Sequence, residues 1–110
     1  MVEYALQLDS TFSALSDPTR RDVLSRVSRQ ELSIGEIAED YDLTFAAVSK
    51  HIKVLEKARL IVKRKRGKEQ IVSAAPQALA DAYEYLNEYK QLWETRLDAL
   101  AIYLEEDGNE

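Results

Sequence analysis

The sequence predicts a mainly α-helical fold, in which short helices are followed by a β-hairpin and a long C-terminal helix. Apolar residues recur every three or four positions along most of the chain, which is the spacing of one face of an α-helix. Between residues 61 and 74 this spacing breaks down, and two short segments rich in strand-forming residues flank a glycine. The order of elements therefore indicates a single hairpin set among helices.

The length and composition are those of one small soluble domain. A chain of 110 residues predicts a single domain over 1–110, because separate cores usually need about 100 residues each. No apolar run approaches the roughly 20 residues that span a bilayer. The start at Met1 lacks the basic and apolar regions of a secretory signal. We therefore expect a cytoplasmic protein that does not bind membranes.

The residue types present argue against an enzyme and against a bound cofactor or metal. The chain has no cysteine, which excludes thiolate metal sites and thiol redox chemistry. His51 is the only histidine, so a protein zinc site would depend on carboxylates, which is uncommon. The three glycines form no phosphate-binding loop, and no motif pairs a nucleophile with a base. We expect no catalytic, cofactor-binding or metal-binding residues.

The positive charge of the chain is concentrated in one stretch. The formal net charge is −5, yet residues 44–70 carry nine basic and two acidic side chains. The segments on either side are net acidic. A polyanion senses the field within about a Debye length, roughly 10 Å at 0.1 M salt, more than the molecular sum. This stretch is a candidate surface for nucleic acid, although an ordinary solvated face has the same composition.

Two helices are predicted before residue 30. The first runs over about 2–15. Asp17 followed by Pro18 is typical of an N-cap and first helical position, where the missing proline N–H has no intrahelical partner to lose. The second helix then continues to about Ser28. The apolar positions assigned to these helices are Leu6, Leu8, Phe12, Leu15, Val23, Leu24 and Val27.

The next two helices have the form of a helix-turn-helix. Ser33 and Glu36 have the spacing of a capping box, which predicts a short third helix ending near Tyr41. Thr44 is the expected cap of a fourth helix that reaches about Ala58. A short helix, a tight turn and a second helix form the DNA-binding unit, predicted here over about 33–58.

A two-stranded hairpin is predicted to follow as the wing, over about 61–74. Its strands are expected at Ile61–Lys65 and Gln70–Ala74, because both segments are rich in strand-forming residues. Gly67 lies between them and permits the positive φ that a tight hairpin turn requires. Together with the preceding helices, this predicts a winged helix-turn-helix.

The fourth helix is expected to present a basic face to DNA. Val48, Ile52 and Leu55 share one face at helical spacing and are expected to pack inward. The opposite face carries lysines, which suit phosphate contacts, with small residues at its leading end that permit close approach to base edges. An amphipathic surface helix with solvated lysines has the same pattern. That face comprises Ala46, Lys50, Lys53 and Lys57, with Ser49 and His51 at its flanks.

The hairpin tip is the more specific signal. Residues 63–68 place five cations within six positions. Side chains alternate along a strand, so Lys63 and Lys65 face one way while Arg64 and Arg66 face the other. Such a tip follows the DNA backbone or inserts an arginine into the minor groove. The alternative is an edge hairpin kept soluble by its charges.

His51 has three interpretations from the sequence. It hydrogen-bonds DNA, or it completes local packing beside Ile52 and Leu55, or it binds a metal ion. The last interpretation has the least support, because no other ligand of suitable type lies at metal-site spacing.

The long last helix, predicted over about 76–105, indicates a dimer. At about 1.5 Å per residue, a helix of nearly thirty residues exceeds the dimensions of so small a domain. Its apolar stripe is therefore expected to meet a symmetric copy, together with the first helix. Simple core packing and a ligand pocket between its aromatic residues are the alternatives. The expected interface residues are Leu6, Leu86, Tyr89, Trp93, Leu97 and Leu100.

Three segments resemble the ArsR family of winged helix-turn-helix repressors. They are Phe12–Leu24, Ala47–Leu55 and Trp93–Asp98, and the similarity extends over about residues 4–105. The resemblance implies a homodimer formed through the first and last helices, with recognition helices entering successive major grooves of an inverted repeat. It also implies repression of transcription.

The sequence departs from the family pattern in two respects. It has neither the cysteines nor the paired aspartate and histidine ligands of metal-sensing members, so the branch without recognised metal sites is implied. Arg59 stands where the family usually has glycine, which is expected to weaken the left-handed C-cap after the recognition helix.

The predicted function is a sequence-specific transcriptional regulator that binds double-stranded DNA as a homodimer. The alternative is a winged-helix module that binds a protein partner without DNA. The sequence identifies no small-molecule effector. The residues predicted to bind DNA are Thr44, Ala46, Ala47, Ser49, Lys50, His51, Lys53, Lys63, Arg64, Arg66 and Lys68.

Overall fold

Caps and apolar spacing place the helices where the sequence predicts them, within a few residues. A computed structural model describes the backbone of residues 2–108 and the side chains of residues 5–106, so Met1 lies outside the described residues. In chain order the elements are α1 (Val2–Ala14), α2 (Pro18–Arg29), β1 (Leu32–Ser33), α3 (Ile34–Asp40), α4 (Phe45–Lys57), β2 (Ile61–Arg66), β3 (Glu69–Ala74) and α5 (Pro76–Gly108).

The chain divides into two compact units, one ending at Ala80 and the other starting at Asp81. The first contains α1–α4, the strands and the first turn of α5, and has the predicted mainly helical winged helix-turn-helix arrangement. The second is the remainder of α5. No helix in the described part of the chain is long and apolar enough to cross a membrane.

The predicted helix caps are confirmed. The Asp17 carboxylate accepts a hydrogen bond from the Arg20 N–H at 3.0 Å and so starts α2. Ser33 and Glu36 form the capping box, each side chain accepting from the other residue's backbone N–H at 3.0 Å. Thr44 accepts from the Ala47 N–H at 3.1 Å and starts α4. Each cap satisfies a donor that a helix end otherwise leaves unpaired.

The core of the first unit lies between the helices and one face of the sheet. Val48, Ile52 and Leu55 are buried, as predicted for the inner face of α4. They share a cluster with residues from α2, α3, the strands and the start of α5, namely Val23, Leu24, Val27, Ile34, Ile37, Leu60, Ile61, Val72 and Ala78. This packing orients α4, because burying its apolar face leaves the opposite face in solvent.

The predicted two-stranded hairpin is confirmed as β2 and β3, and a third strand that was not predicted joins it in one sheet. The order is β1-β3-β2, and both pairs are antiparallel. The additional strand is only two residues long, with Leu32 opposite Val72. A strand of two residues is too short to show the alternation of apolar and polar side chains that predicts a strand from sequence. It exists only because β3, which is distant in sequence, pairs with it.

The hairpin turn is tighter than predicted. Arg66 pairs with Glu69, so each strand is one residue longer than expected and only Gly67 and Lys68 form the turn. Gly67 has φ +63°, which confirms the expected positive φ. A Cβ added there meets nothing within 4 Å, so the backbone angle, rather than crowding, favours glycine.

The end of α4 corrects the expectation drawn from Arg59. This residue adopts the left-handed conformation at φ +60° although it is not glycine. The Leu60 N–H donates to the Leu55 carbonyl at 3.0 Å and the Arg59 N–H to the Glu56 carbonyl at 2.9 Å. These two bonds form a Schellman motif, and the motif is completed by the burial of both Leu55 and Leu60. The left-handed cap is therefore kept.

The second unit is a single helix with an exposed apolar stripe. The predicted interface residues Leu86, Tyr89, Trp93, Leu97 and Leu100 are all exposed, each by about half of its surface. Along the same helix Lys90 and Glu94 approach to 3.9 Å, and the Tyr85 and Tyr89 rings meet edge to face at 5.2 Å.

Candidate nucleic-acid interface

The solvent face of α4 carries the predicted basic residues. Ala46, Lys50, Lys53 and Lys57 are all exposed, because the inner face of the helix is held in the core. Ala47 and Ser49 are half-buried at the edges of this face. The helix therefore presents small side chains at its start and ammonium groups farther along, which suits a helix lying in a major groove.

His51 lies in a local polar network on the flank of α4. Its Nδ1 is 3.5 Å from Nη1 of Arg20 and 3.9 Å from a carboxylate oxygen of Asp17. The carboxylate already accepts the backbone N–H of Arg20, which holds the pKa of Asp17 below its ordinary value, with His51 contributing further. The observed contacts of His51 are thus polar ones with α2, while packing beside Ile52 and Leu55 and a DNA contact both stay predictions.

Arg20 links the C-terminal end of α1 to α4. Its Nε donates to the Ala14 carbonyl at 2.7 Å and its Nη2 to the Ser13 carbonyl at 3.2 Å. These carbonyls are at the C-terminal end of α1, where intrahelical donors run out. Because the same guanidinium reaches His51, the start of α2 connects α1 with α4.

A second polar contact ties α1 to the far end of α4. The Gln7 side-chain amide donates to the Ala58 carbonyl at 2.8 Å. That carbonyl belongs to the C-cap of α4. α4 is therefore linked to α1 at its middle, through Arg20 and His51, and at its C-terminal end, through Gln7.

The base of the wing is neutralised within the chain. Lys63 Nζ lies 3.4 Å from a carboxylate oxygen of Glu56 on α4. Arg64 donates through both terminal nitrogens to the two oxygens of Glu31, at 3.0 and 2.6 Å. This bidentate pair lowers the pKa of Glu31 and raises that of Arg64. Both cations were predicted to bind DNA, and each has an acidic partner in the structure.

The tip of the wing carries cations that form no ion pair with the acidic side chains that the structure describes, namely Lys65, Arg66 and Lys68, and all three are exposed. Arg66 is still near enough to Glu31 for its charge to help lower the pKa of that carboxyl. Lys65 is absent from the predicted DNA-binding set. Its proximity to the turn was visible in the sequence, but the ion pairs of Lys63 with Glu56 and of Arg64 with Glu31 were not.

Phe45 is the other residue that the prediction left out. It is the first residue of α4, directly after the Thr44 cap, and 59% of its surface is exposed. Helical spacing places it on the flank that also carries Ser49 and Glu56. No pattern in the sequence distinguished this aromatic residue from an ordinary core residue.

The described side chains show no group of three or more His, Asp or Glu residues arranged to hold a metal ion.

The predicted interface residue Leu6 is exposed on α1. The α4 and hairpin residues predicted to bind DNA all lie in the first unit, while the remaining interface residues lie in the second.

Comparison with known proteins identifies relatives along most of the chain. A family model described as a helix-turn-helix domain matches residues 15–64. The HTH-type transcriptional regulator Rv2034 of Mycobacterium tuberculosis is 32% identical over 102 residues, covering 93% of this chain and 92% of that protein. The transcriptional repressor SdpR of Bacillus subtilis is 28% identical over 79 residues, covering 72% of this chain and 88% of that protein.

A solved structure agrees with this assignment. The ArsR-like transcriptional regulator from Rhodococcus sp. RHA1 is 30% identical and superposes with a TM-score of 0.74, covering 91% of this chain and 93% of that chain. Sequence and fold thus point to the same group of regulators, which are not enzymes. The chain belongs to the ArsR family of helix-turn-helix transcriptional regulators.

Proposed function

We propose that the protein is a homodimeric repressor that occupies an inverted-repeat operator and blocks transcription. The observation that carries this proposal is the exposed basic face of α4 beside a wing whose tip cations form no ion pair with any described acidic side chain. Such a role requires access to DNA, and we expect the protein in the cytoplasm. The relatives that are named transcriptional repressors support repression rather than activation.

The two halves of this surface have different tasks. The start of α4 offers short side chains and hydroxyl groups, which reach base edges in a major groove. The lysines of α4 and the wing tip offer charge without directional selectivity, which suits phosphates. We assign base reading to Thr44, Ala46, Ala47, Ser49 and His51, and phosphate contacts to Lys50, Lys53, Lys65, Arg66 and Lys68.

The exposed stripe of α5 supports the dimer. An apolar stripe of this length is unusual on the surface of a soluble monomer and marks an interaction surface. A symmetric copy covers it with an identical stripe and brings two recognition helices to the two halves of a palindromic site. Leu6 on α1 is assigned to the same interface.

An electrophoretic mobility shift titration at several salt concentrations tests the proposal. Each neutralised phosphate contributes about −0.9 to the slope of log K against log salt, and a dimer with two wings and two recognition helices should make roughly 6–10 contacts. We expect a slope between about −5 and −9, with one genomic fragment preferred over random DNA. A slope shallower than about −2 without a preferred fragment contradicts the proposal and favours the protein-binding alternative.

A further inference from the structure

Phe45 is an apolar side chain at the leading end of the recognition helix. It occupies the first helical position of α4, and 59% of its surface is exposed. It contributes to a cleft of about 180 Å³ between the start of α3 and the hairpin turn, with Gly35 and Lys68 among its other lining residues. Most of the Phe45 ring is therefore not buried in the core.

The stretch of chain that contains Phe45 is net cationic, since residues 44–70 carry nine basic and two acidic side chains. Lys50 and Lys53 are exposed on the same helix, while the cleft beside the ring is lined by one cation, Lys68, and one anion, Glu69. A partner that covers this surface must therefore be anionic overall and still offer an apolar group at the position of the ring. DNA meets both requirements in its major groove, where the C5-methyl of thymine is the apolar group on the base edges.

We infer that Phe45 contacts the C5-methyl group of a thymine in each operator half-site and thereby determines specificity at that position. This inference rests on the proposed function. It adds an apolar reading element to the start of α4, where the other outward groups, Thr44, Ala46 and Ser49, are small or polar. The backbone of α4 places the ring where the first turn of the helix meets the bases.

The test replaces thymine with deoxyuridine, which removes only the methyl group. An operator is first obtained by selecting tight-binding duplexes from a random library with the wild-type protein. Each thymine is then replaced in turn, symmetrically in both half-sites. Wild-type binding should weaken at one position by about fourfold per half-site, the equivalent of one buried methyl group. Phe45→Ala should bind the selected duplex more weakly and show no penalty at that position.

Val54→Ala provides the matched control. Val54 is also an apolar residue of α4 and is 38% exposed, but it lines a groove with Ser10 and Ser13 of α1. This variant should keep the full deoxyuridine penalty. Phe45→Leu should keep part of it, because the leucine side chain still offers an apolar surface.

Several outcomes overturn the inference while leaving the proposed function intact. They are an equal deoxyuridine penalty in wild type and Phe45→Ala, no penalty at any thymine, or an equal loss of selected and random DNA in Phe45→Ala. Loss of the dimer on sedimentation of Phe45→Ala would instead assign the ring to a protein interface. Failure of the wild type to select any sequence would overturn the proposed function itself.

Discussion

Arg59 is the residue whose conformation is least expected from its type. A left-handed backbone costs a non-glycine residue about 1–2 kcal/mol, because Cβ approaches the following carbonyl oxygen. Arg59 accepts this strain because the Schellman bonds and the buried Leu55 and Leu60 hold the chain in place after α4. The strain is therefore stored where the recognition helix joins the first wing strand.

Replacing Arg59 with glycine should stabilise the protein. Arg59→Gly relieves the strained φ and should raise the free energy of unfolding by about 1 kcal/mol in urea denaturation. Arg59→Ala is the control, because it removes the same cation but keeps a Cβ at φ +60°. If the alanine variant gains as much as the glycine variant, the effect comes from the lost charge and the strain argument is wrong.

The hairpin shows how an element divides its charges between structure and binding. Its base is tied to the body through Lys63–Glu56 and Arg64–Glu31, while the cations at its tip form no ion pair with a described acidic side chain. A surface ion pair of this kind contributes at most about 1 kcal/mol to stability. We expect its larger effect to be on DNA binding, because Glu31 pairs with a cation that would otherwise be available to phosphate.

The two wing arginines should therefore differ in their effect on DNA binding. Arg66→Ala should weaken binding to selected and random DNA alike and flatten the salt slope by about 2 per dimer, since two phosphate contacts are lost. Arg64→Ala should change the slope by less than half as much, because Glu31 already neutralises this arginine. Mobility shift titrations at several salt concentrations, on selected and on random DNA, measure the affinity and the salt slope of each variant.

Removing the ion-pair partner of Arg64 provides the converse experiment. Glu31→Gln should strengthen binding to all sequences and steepen the salt slope, because it removes a negative charge and frees the guanidinium. Glu39→Gln removes an exposed acid of α3 that has no ion pair among the described residues and serves as the control. Equal effects of the two substitutions would show that total charge, rather than the Arg64 pair, controls the wing.

At the scale of the whole molecule, we expect stability and DNA binding to be coupled through α5. Its apolar stripe is exposed in a single chain, and Trp93 is 57% exposed there. Two half-sites bind tightly only when the recognition helices are linked, since the second contact is then intramolecular. The proposed dimer therefore makes operator affinity depend on residues that never touch DNA.

Trp93→Ala should shift the protein toward monomer or unfold it. Truncating a buried aromatic side chain costs about 3–5 kcal/mol, and a symmetric interface contains the change twice. Operator binding should fall in parallel.

Gln91→Ala, on the opposite side of the helix, is the control and should leave both the assembly state and operator binding unchanged. Sedimentation over a concentration series measures the assembly, and the tryptophan emission of the wild type reports its burial. A folded wild-type monomer at micromolar concentration with red-shifted emission contradicts the dimer.

Much of the fold was predictable because its signals are local. The capping residues Asp17, Ser33 and Thr44 each act on a donor three residues away, so their spacing alone determines where a helix begins. Gly67 likewise reports a backbone angle that depends on its own missing side chain. The inward face of α4 follows from helical periodicity, which needs no knowledge of what it packs against.

The remainder depended on which distant segments meet in the folded chain. Leu32 and Ser33 become a strand only because β3 pairs with them, and Arg64 is neutralised only because Glu31, 33 residues earlier, lies within hydrogen-bond distance. The exposure of Phe45 depends likewise on how α3 and the hairpin pack beside it. The sequence by itself thus determined the helices, the turn glycine and the basic face, because these follow from short-range bonding and period. Only the tertiary structure decided which cations stay available to DNA, because pairing and burial are properties of contacts between residues far apart in the chain.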